Sequence, residues 1–151
     1  MNTIRELDHL LSQEEDQYYA EDLFLDAEEL IAKLSEQDIS PLVATWQARD
    51  LSWRSRFSHA SSRISQSVLV PLLRVALSSP TEPEPILGLM GSLPKEADQS
   101  PLCQALVDFA ERQWHTNPAL HRQLQMSTWN CGLSNRLLKR LRFQSWKEAG
   151  L

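Results

Sequence analysis

Ser40-Pro41-Leu42-Val43-Ala44-Thr45-Trp46 returns as Val70-Pro71-Leu72-Leu73-Arg74-Val75-Ala76 and again as Ser100-Pro101-Leu102-Cys103-Gln104-Ala105-Leu106. The Pro-Leu pair recurs at a spacing of 30 residues, and the apolar residues behind it stay in register. Leu42, Val43 and Trp46 correspond to Leu72, Leu73 and Ala76, then to Leu102, Cys103 and Leu106. Steps of three and four place each set on one side of a helix. A fixed period between roughly 20 and 50 residues marks stacked units that bury their apolar faces only against each other. The period therefore predicts a helical repeat architecture and leaves function open.

Working outward, Ser40 and Ser100 each precede a proline, which predicts a Ser N-cap with Pro at the first helical position. Second helices lie between the Pro-Leu helices. Asp50 is a candidate cap for a segment in which Trp53, Phe57, Ala60 and Ile64 recur at steps of 4, 3 and 4. Ile86, Leu89 and Leu93 take the places of Phe57, Ala60 and Ile64 in the next unit, from Glu84 to Leu93. Pro80, Pro83 and Pro85 hold off helix until Pro85 or beyond. Gly88 and Gly91, three apart, favour close approach of a neighbouring helix.

Toward the N-terminus, Thr3 with Glu6 fits a capping box, and Ile4, Leu7, Leu10 and Leu11 make a stripe. A second helix is expected from about Gln13 to Leu34. Toward the C-terminus, a capped helix follows Asn117-Pro118, and a basic helix runs from about Ser134 to Ala149. Period-2 alternation of strand length is absent, so the expectation is all-α with eight or nine helices in one domain.

The stretch Arg49-Asp50-Leu51-Ser52-Trp53-Arg54-Ser55-Arg56, followed by Ala60, Ile64 and Val70-Pro71-Leu72-Leu73, resembles a HEAT-type repeat. In that family the first helix opens with an acid, often a tryptophan, and an Arg-x-Arg pair, and the second opens with a hydrophobic-proline-hydrophobic step. The likeness covers about residues 40–111, where the second unit matches in its apolar spacing and in Ser100-Pro101-Leu102. The period is similar to that of short bacterial HEAT-like repeats. The resemblance implies a short right-handed α-solenoid of helix pairs, with residues 1–38 as an acidic N-terminal cap, 40–111 as the repeats and 117–151 as a basic C-terminal cap. It also implies a binding surface rather than catalysis, though fold alone does not give function.

Charge is distributed unevenly. The net value of −5 hides twelve acids against Arg5 and Lys33 in residues 1–38, while the remainder carries thirteen bases against eight acids. Either the two ends compensate each other, or one presents a charged face to a partner. The opening residues lack a basic run leading into an apolar segment, and Val68 to Leu77 falls far short of the roughly 20 residues that span a bilayer, so a cytoplasmic location is expected.

Chemistry-bearing patterns are sparse. His9, His59, His115 and His121 form no compact metal-ligand set with Cys103 or Cys131, and Cys103 is expected to be a small buried hydrophobe. Gly88-Leu89-Met90-Gly91-Ser92 is not a nucleophile elbow, and no phosphate loop is present. Neither cofactor nor metal is implied, and an enzyme would need a pocket of convergent titratable groups that spacing does not reveal.

Five tryptophans in 151 residues carry more information, because tryptophan and arginine dominate binding hot spots. Trp46 and Trp53, with Arg49, Arg54 and Arg56 around them, are either core residues whose arginines pair with acids or a hot spot. The interior reading is favoured for repeats of this kind. A binding module should leave at least one of the five exposed. The helix carrying Arg136, Lys139, Arg140 and Arg142 is a solvated cap, a partner-binding helix or a phosphate-contacting patch; a pI near 5.3 disfavours nucleic acid.

The expected function is a non-enzymatic protein-binding module. Its most specific form is a bacterial immunity protein that neutralises a toxin with a basic surface, using Glu21, Asp22, Asp26 and Glu29 together with Trp53, Arg54 and Arg56. A secretion chaperone or adaptor fits the same features, and a HEAT-like nucleic-acid-binding protein is the alternative of another class.

Overall fold

The structure is a computed structural model that describes residues 2–20, 22–79, 82–96 and 100–151. Among these residues it is all-helical, with no strand and ten α-helices. In order they are α1 (Thr3–Leu11), α2 (Glu15–Ala20), α3 (Leu23–Ala32), α4 (Glu36–Thr45), α5 (Leu51–His59), α6 (Gln66–Ser78), α7 (Pro83–Met90), α8 (Cys103–Thr116), α9 (His121–Asn130) and α10 (Ser134–Leu141). The chain divides into two compact units, Met1–Leu89 and Met90–Leu151.

The count exceeds eight or nine because the expected helix from Gln13 to Leu34 is two helices. Asp22 adopts φ 53, ψ 31, and a residue in the left-handed region ends a right-handed run. Asp tolerates that conformation better than most residues, so α3 restarts after it, with Leu25 N–H donating to the Asp22 carbonyl at 3.0 Å. At the start of α1 the cap is Asn2 rather than Thr3. Its Oδ1 accepts from the backbone N–H groups of Ile4 and Arg5 at 3.0 and 3.3 Å, relieving two of the unpaired donors of a first turn.

Within the first unit α1 packs on α3, α4 and α5, α2 on α3, and α4 on α6. Leu7, Leu11, Ala27, Ile31, Leu42, Trp46, Phe57, Leu72 and Leu73 are buried at the centre. Each large apolar side chain removed from water contributes about 1.5–3 kcal/mol before the entropy of ordering it is subtracted. Two of the three Pro-Leu prolines stand inside helices, whereas Pro101 lies in the turn just before α8, with Leu102 N–H donating to the Ser100 hydroxyl at 3.2 Å. Pro41 and Pro71 each occupy the sixth position of a helix, α4 and α6. α4 begins at Glu36 because the Ser35 N–H donates to the Asp38 carboxylate at 2.9 Å, a stronger initiation than Ser40 before Pro41. α7 begins at Pro83, earlier than Pro85, since a first turn needs no N–H from its prolines. Gly88 of α7 meets the Ser58 side chain of α5 where a Cβ would stand, so α5 and α7 touch at a position only glycine fits without displacement.

In the second unit α8, α9 and α10 bury Leu106, Val107, Ala110, Leu124, Leu133 and Leu137. Cys131 is fully buried, whereas Cys103 is half-buried, contrary to the expectation of a core residue. Gly132, at φ 82, has the Lys95 carbonyl where a side chain would go. The basic helix ends at Leu141, not near Ala149. Arg142 adopts φ 65, and Phe143 N–H donates to the Leu138 carbonyl at 2.9 Å, closing the helix as a left-handed cap does. The freed tail brings Phe143 and Trp146 to the Trp114 ring, with centroids 6.1 and 5.9 Å away.

Candidate functional site

α3 is amphipathic over ten residues, and both of its faces follow from spacing. Ala27 and Ile31 point inward and are buried. Asp22, Leu25, Asp26 and Glu29, at i, i+3, i+4 and i+7, are all exposed. Leu25 is 56% accessible, with Tyr19 of α2 also out at 55%. Glu21 lies outside the described residues. Beside this face runs a groove of about 610 Å³ between α1 and α3, lined by Arg5, His9 and Leu10 on one side and Asp26, Glu29 and Lys33 on the other. None of the three carboxylates forms an ion pair among the described residues, which leaves them available to an external cation.

Trp53, Arg54 and Arg56 are arranged differently. Trp46, Trp53 and Phe57 form an aromatic cluster, with Trp53 stacked on Phe57 at 5.4 Å and Trp46 edge-on to both. The Arg49 guanidinium lies 4.0 Å from the Trp53 ring centre and pairs with Asp8, joining α1 to the turn before α5. Arg54 is 8% exposed, pairs with Glu82 and donates through Nε to the Arg49 carbonyl at 3.1 Å. Arg56 donates to the carbonyls of Leu11 and Gln13 at 3.0 and 2.7 Å, capping the chain as it leaves α1, and stands 4.8 Å from the Tyr18 ring centre. Burial pushes the Tyr18 phenol up to about 12, with Tyr19 adding to the shift and Arg56 opposing it. Asp26 and Glu29 are thus exposed on α3 and Asp22 is exposed at its start, while Trp53 and Arg54 lie in the interior and Arg56 is half-buried.

In the second unit the bases of α10 are partly engaged. Arg140 bonds Asp108 at 2.8 Å and Glu111 at 3.0 Å, both on α8. Arg136, Lys139 and Arg142 are exposed, Arg142 at the left-handed helix end. The exposed aromatic that a binding module requires is Trp129, 60% accessible, beside Met126 at 64%. With Arg122 they form an outward stripe along α9, and the Lys95 ammonium lies 5.2 Å from the Trp129 ring centre. A groove of about 480 Å³ opens there between α9 and Trp146. In sequence, the step of three from Met126 to Trp129 is the signal for this stripe.

No family model, curated protein or solved structure matches the chain. Among the described residues no group of three or more His, Cys, Asp or Glu is placed to hold a metal ion. No helix among them is long and apolar enough to cross a membrane. Function has to be argued from these surfaces themselves.

Proposed function

We propose that the chain is a protein-binding module that captures a basic partner on the outward face of α3, without catalysing a reaction. The observation that carries this reading is the exposure of Asp26 and Glu29 beside Leu25 on the outward face of α3, with exposed Asp22 at the start of the helix. Complementary charge steers encounter and enforces partner choice, and the central leucine supplies the desolvated contact that gives such an encounter a lifetime. In its most specific form the partner is a bacterial toxin domain with a basic surface, which this chain neutralises as an immunity protein by covering it.

The scaffold for that face is, in our reading, a short HEAT-like α-solenoid. Two contacts support it: α4 and α6, related by the 30-residue shift, pack on each other, and their successors α5 and α7 touch at Gly88. Stacking of equivalent helices is what repeat units do. Nucleic-acid binding is the weaker reading, since Arg140 is already held by two carboxylates.

The test is affinity capture from the cells that make the protein, with wild type beside a variant carrying Asp22→Asn, Asp26→Asn and Glu29→Gln. A basic protein retained by the wild type, lost with the variant and inhibited by equimolar chain supports the proposal. Retention by both forms, or an acidic partner, contradicts it.

A further inference from the structure

We infer that two copies of the chain associate by seating the α3 face of one on the α9 groove of the other. The groove presents Met126 and Trp129, 64% and 60% accessible, two of the residue types that anchor protein interfaces. Its lining of Gln125, Met126, Trp129, Asn130 and Trp146 contains no acid. Lys95 stands over the Trp129 ring and Arg122 lies one turn before Met126 on the same side of α9, so the rim is positive. Trp146 forms one wall. A fitting occupant is an apolar anchor ringed by carboxylates.

The chain carries such an element itself. On α3, Leu25 is exposed with Asp26 and Glu29, and Asp22 is exposed at the start of the helix. Apolar meets apolar, and carboxylates meet Lys95 and Arg122. Bulk charge points the same way: residues 1–89 hold fifteen acids and seven bases, a net −8, whereas residues 90–151 hold five acids and eight bases, a net +3. Electrostatic attraction between the acidic unit of one copy and the basic unit of another favours this pairing. An external basic partner on α3 would displace the second copy, so this association also regulates access to the face assigned above.

Sedimentation velocity over a concentration series, at low and at high salt, tests the inference. Wild type is expected to dimerise reversibly, more weakly in high salt. Trp129→Ala and Leu25→Ala, both at exposed positions and both checked for native helicity by circular dichroism, should each weaken association about tenfold or more. An equimolar mixture of the two variants should associate more tightly than either alone, because one intact α3 face then meets one intact groove. A wild type that stays monomeric at every concentration in low salt overturns the inference and leaves the groove to another partner. So does a dimer weakened by Trp129→Ala but untouched by Leu25→Ala, which would be a groove-to-groove contact. A monomer that still captures a basic protein through α3 leaves the proposed function standing, and a dimer that captures none leaves only self-association.

Discussion

α3 and α9 are both ten-residue helices that bury one side and expose a stripe with a large apolar residue in it, yet they present opposite charge. On α3 the leucine sits among carboxylates, while on α9 the methionine and tryptophan sit beside Arg122 and Lys95. Around them the two units differ in tryptophan and arginine, although Trp114 of the second unit is buried as Trp46 and Trp53 are. In residues 1–89 Trp46 and Trp53 are core, and Arg49, Arg54 and Arg56 tie α1 and the segment before α7 to α5 and the turn before it. In residues 90–151 Trp129 is outside, and Arg140 forms its ion pairs on the surface. Residue type does not assign a role; its position on the helix does.

The largest expected effect breaks the comparison between tryptophans. Trp46→Ala should lower the free energy of unfolding by about 3–5 kcal/mol, since it empties a site that is 1% accessible. Trp129→Ala should stay within about 0.5 kcal/mol in the same denaturant titration. Gly132→Ala comes next, at about 2–4 kcal/mol, because it combines a positive φ with a clash against the Lys95 backbone. Thermal melts should rank it well above Arg140→Ala, whose ion pairs are open to solvent and whose loss should leave the melt nearly unchanged.

A smaller effect is confined to alkaline pH. The Tyr18 phenol is raised from its ordinary 10.0 to about 12, so between those values the native state holds a proton that the unfolded state has released. Its contribution is complete below about 10 and is lost as pH rises toward 12, giving a decline in stability that Tyr18→Phe should flatten. The smallest concerns thiols, where stability is not involved. Burial raises the Cys131 thiol to about 11 and half-buried Cys103 remains partly accessible, so a disulfide reagent at neutral pH should titrate one thiol in the native protein and two after unfolding.

Much of this organisation is legible in the sequence, and the gaps have physical causes. Leu42, Trp46, Leu72, Leu73 and Ala76 lie in the core as their spacing predicts, and Asp26 and Glu29 are exposed on α3 with Leu25. The breaks at Asp22 and Arg142 were not legible, because both ends use a positive φ at a residue other than glycine, a choice set by the packing that follows. The start of α4 was misplaced because Ser-Pro and Ser-x-x-Asp compete for the same helix, and the second satisfies a backbone donor as well. In sequence Arg54 and Arg56 read either as partners of acids or as part of a hot spot. Only tertiary structure brings Glu82 and the carbonyls of Leu11 and Gln13 to them.

The central claim is that the α3 face is where a partner binds, and site-specific photo-crosslinking in living cells tests it most directly. A crosslinking residue at Leu25 should yield an adduct with a basic protein, whereas the same residue at exposed Arg63, outside that helix, should yield none. No adduct at Leu25 beyond a second copy of the chain, or equal adducts at both positions, would contradict the account.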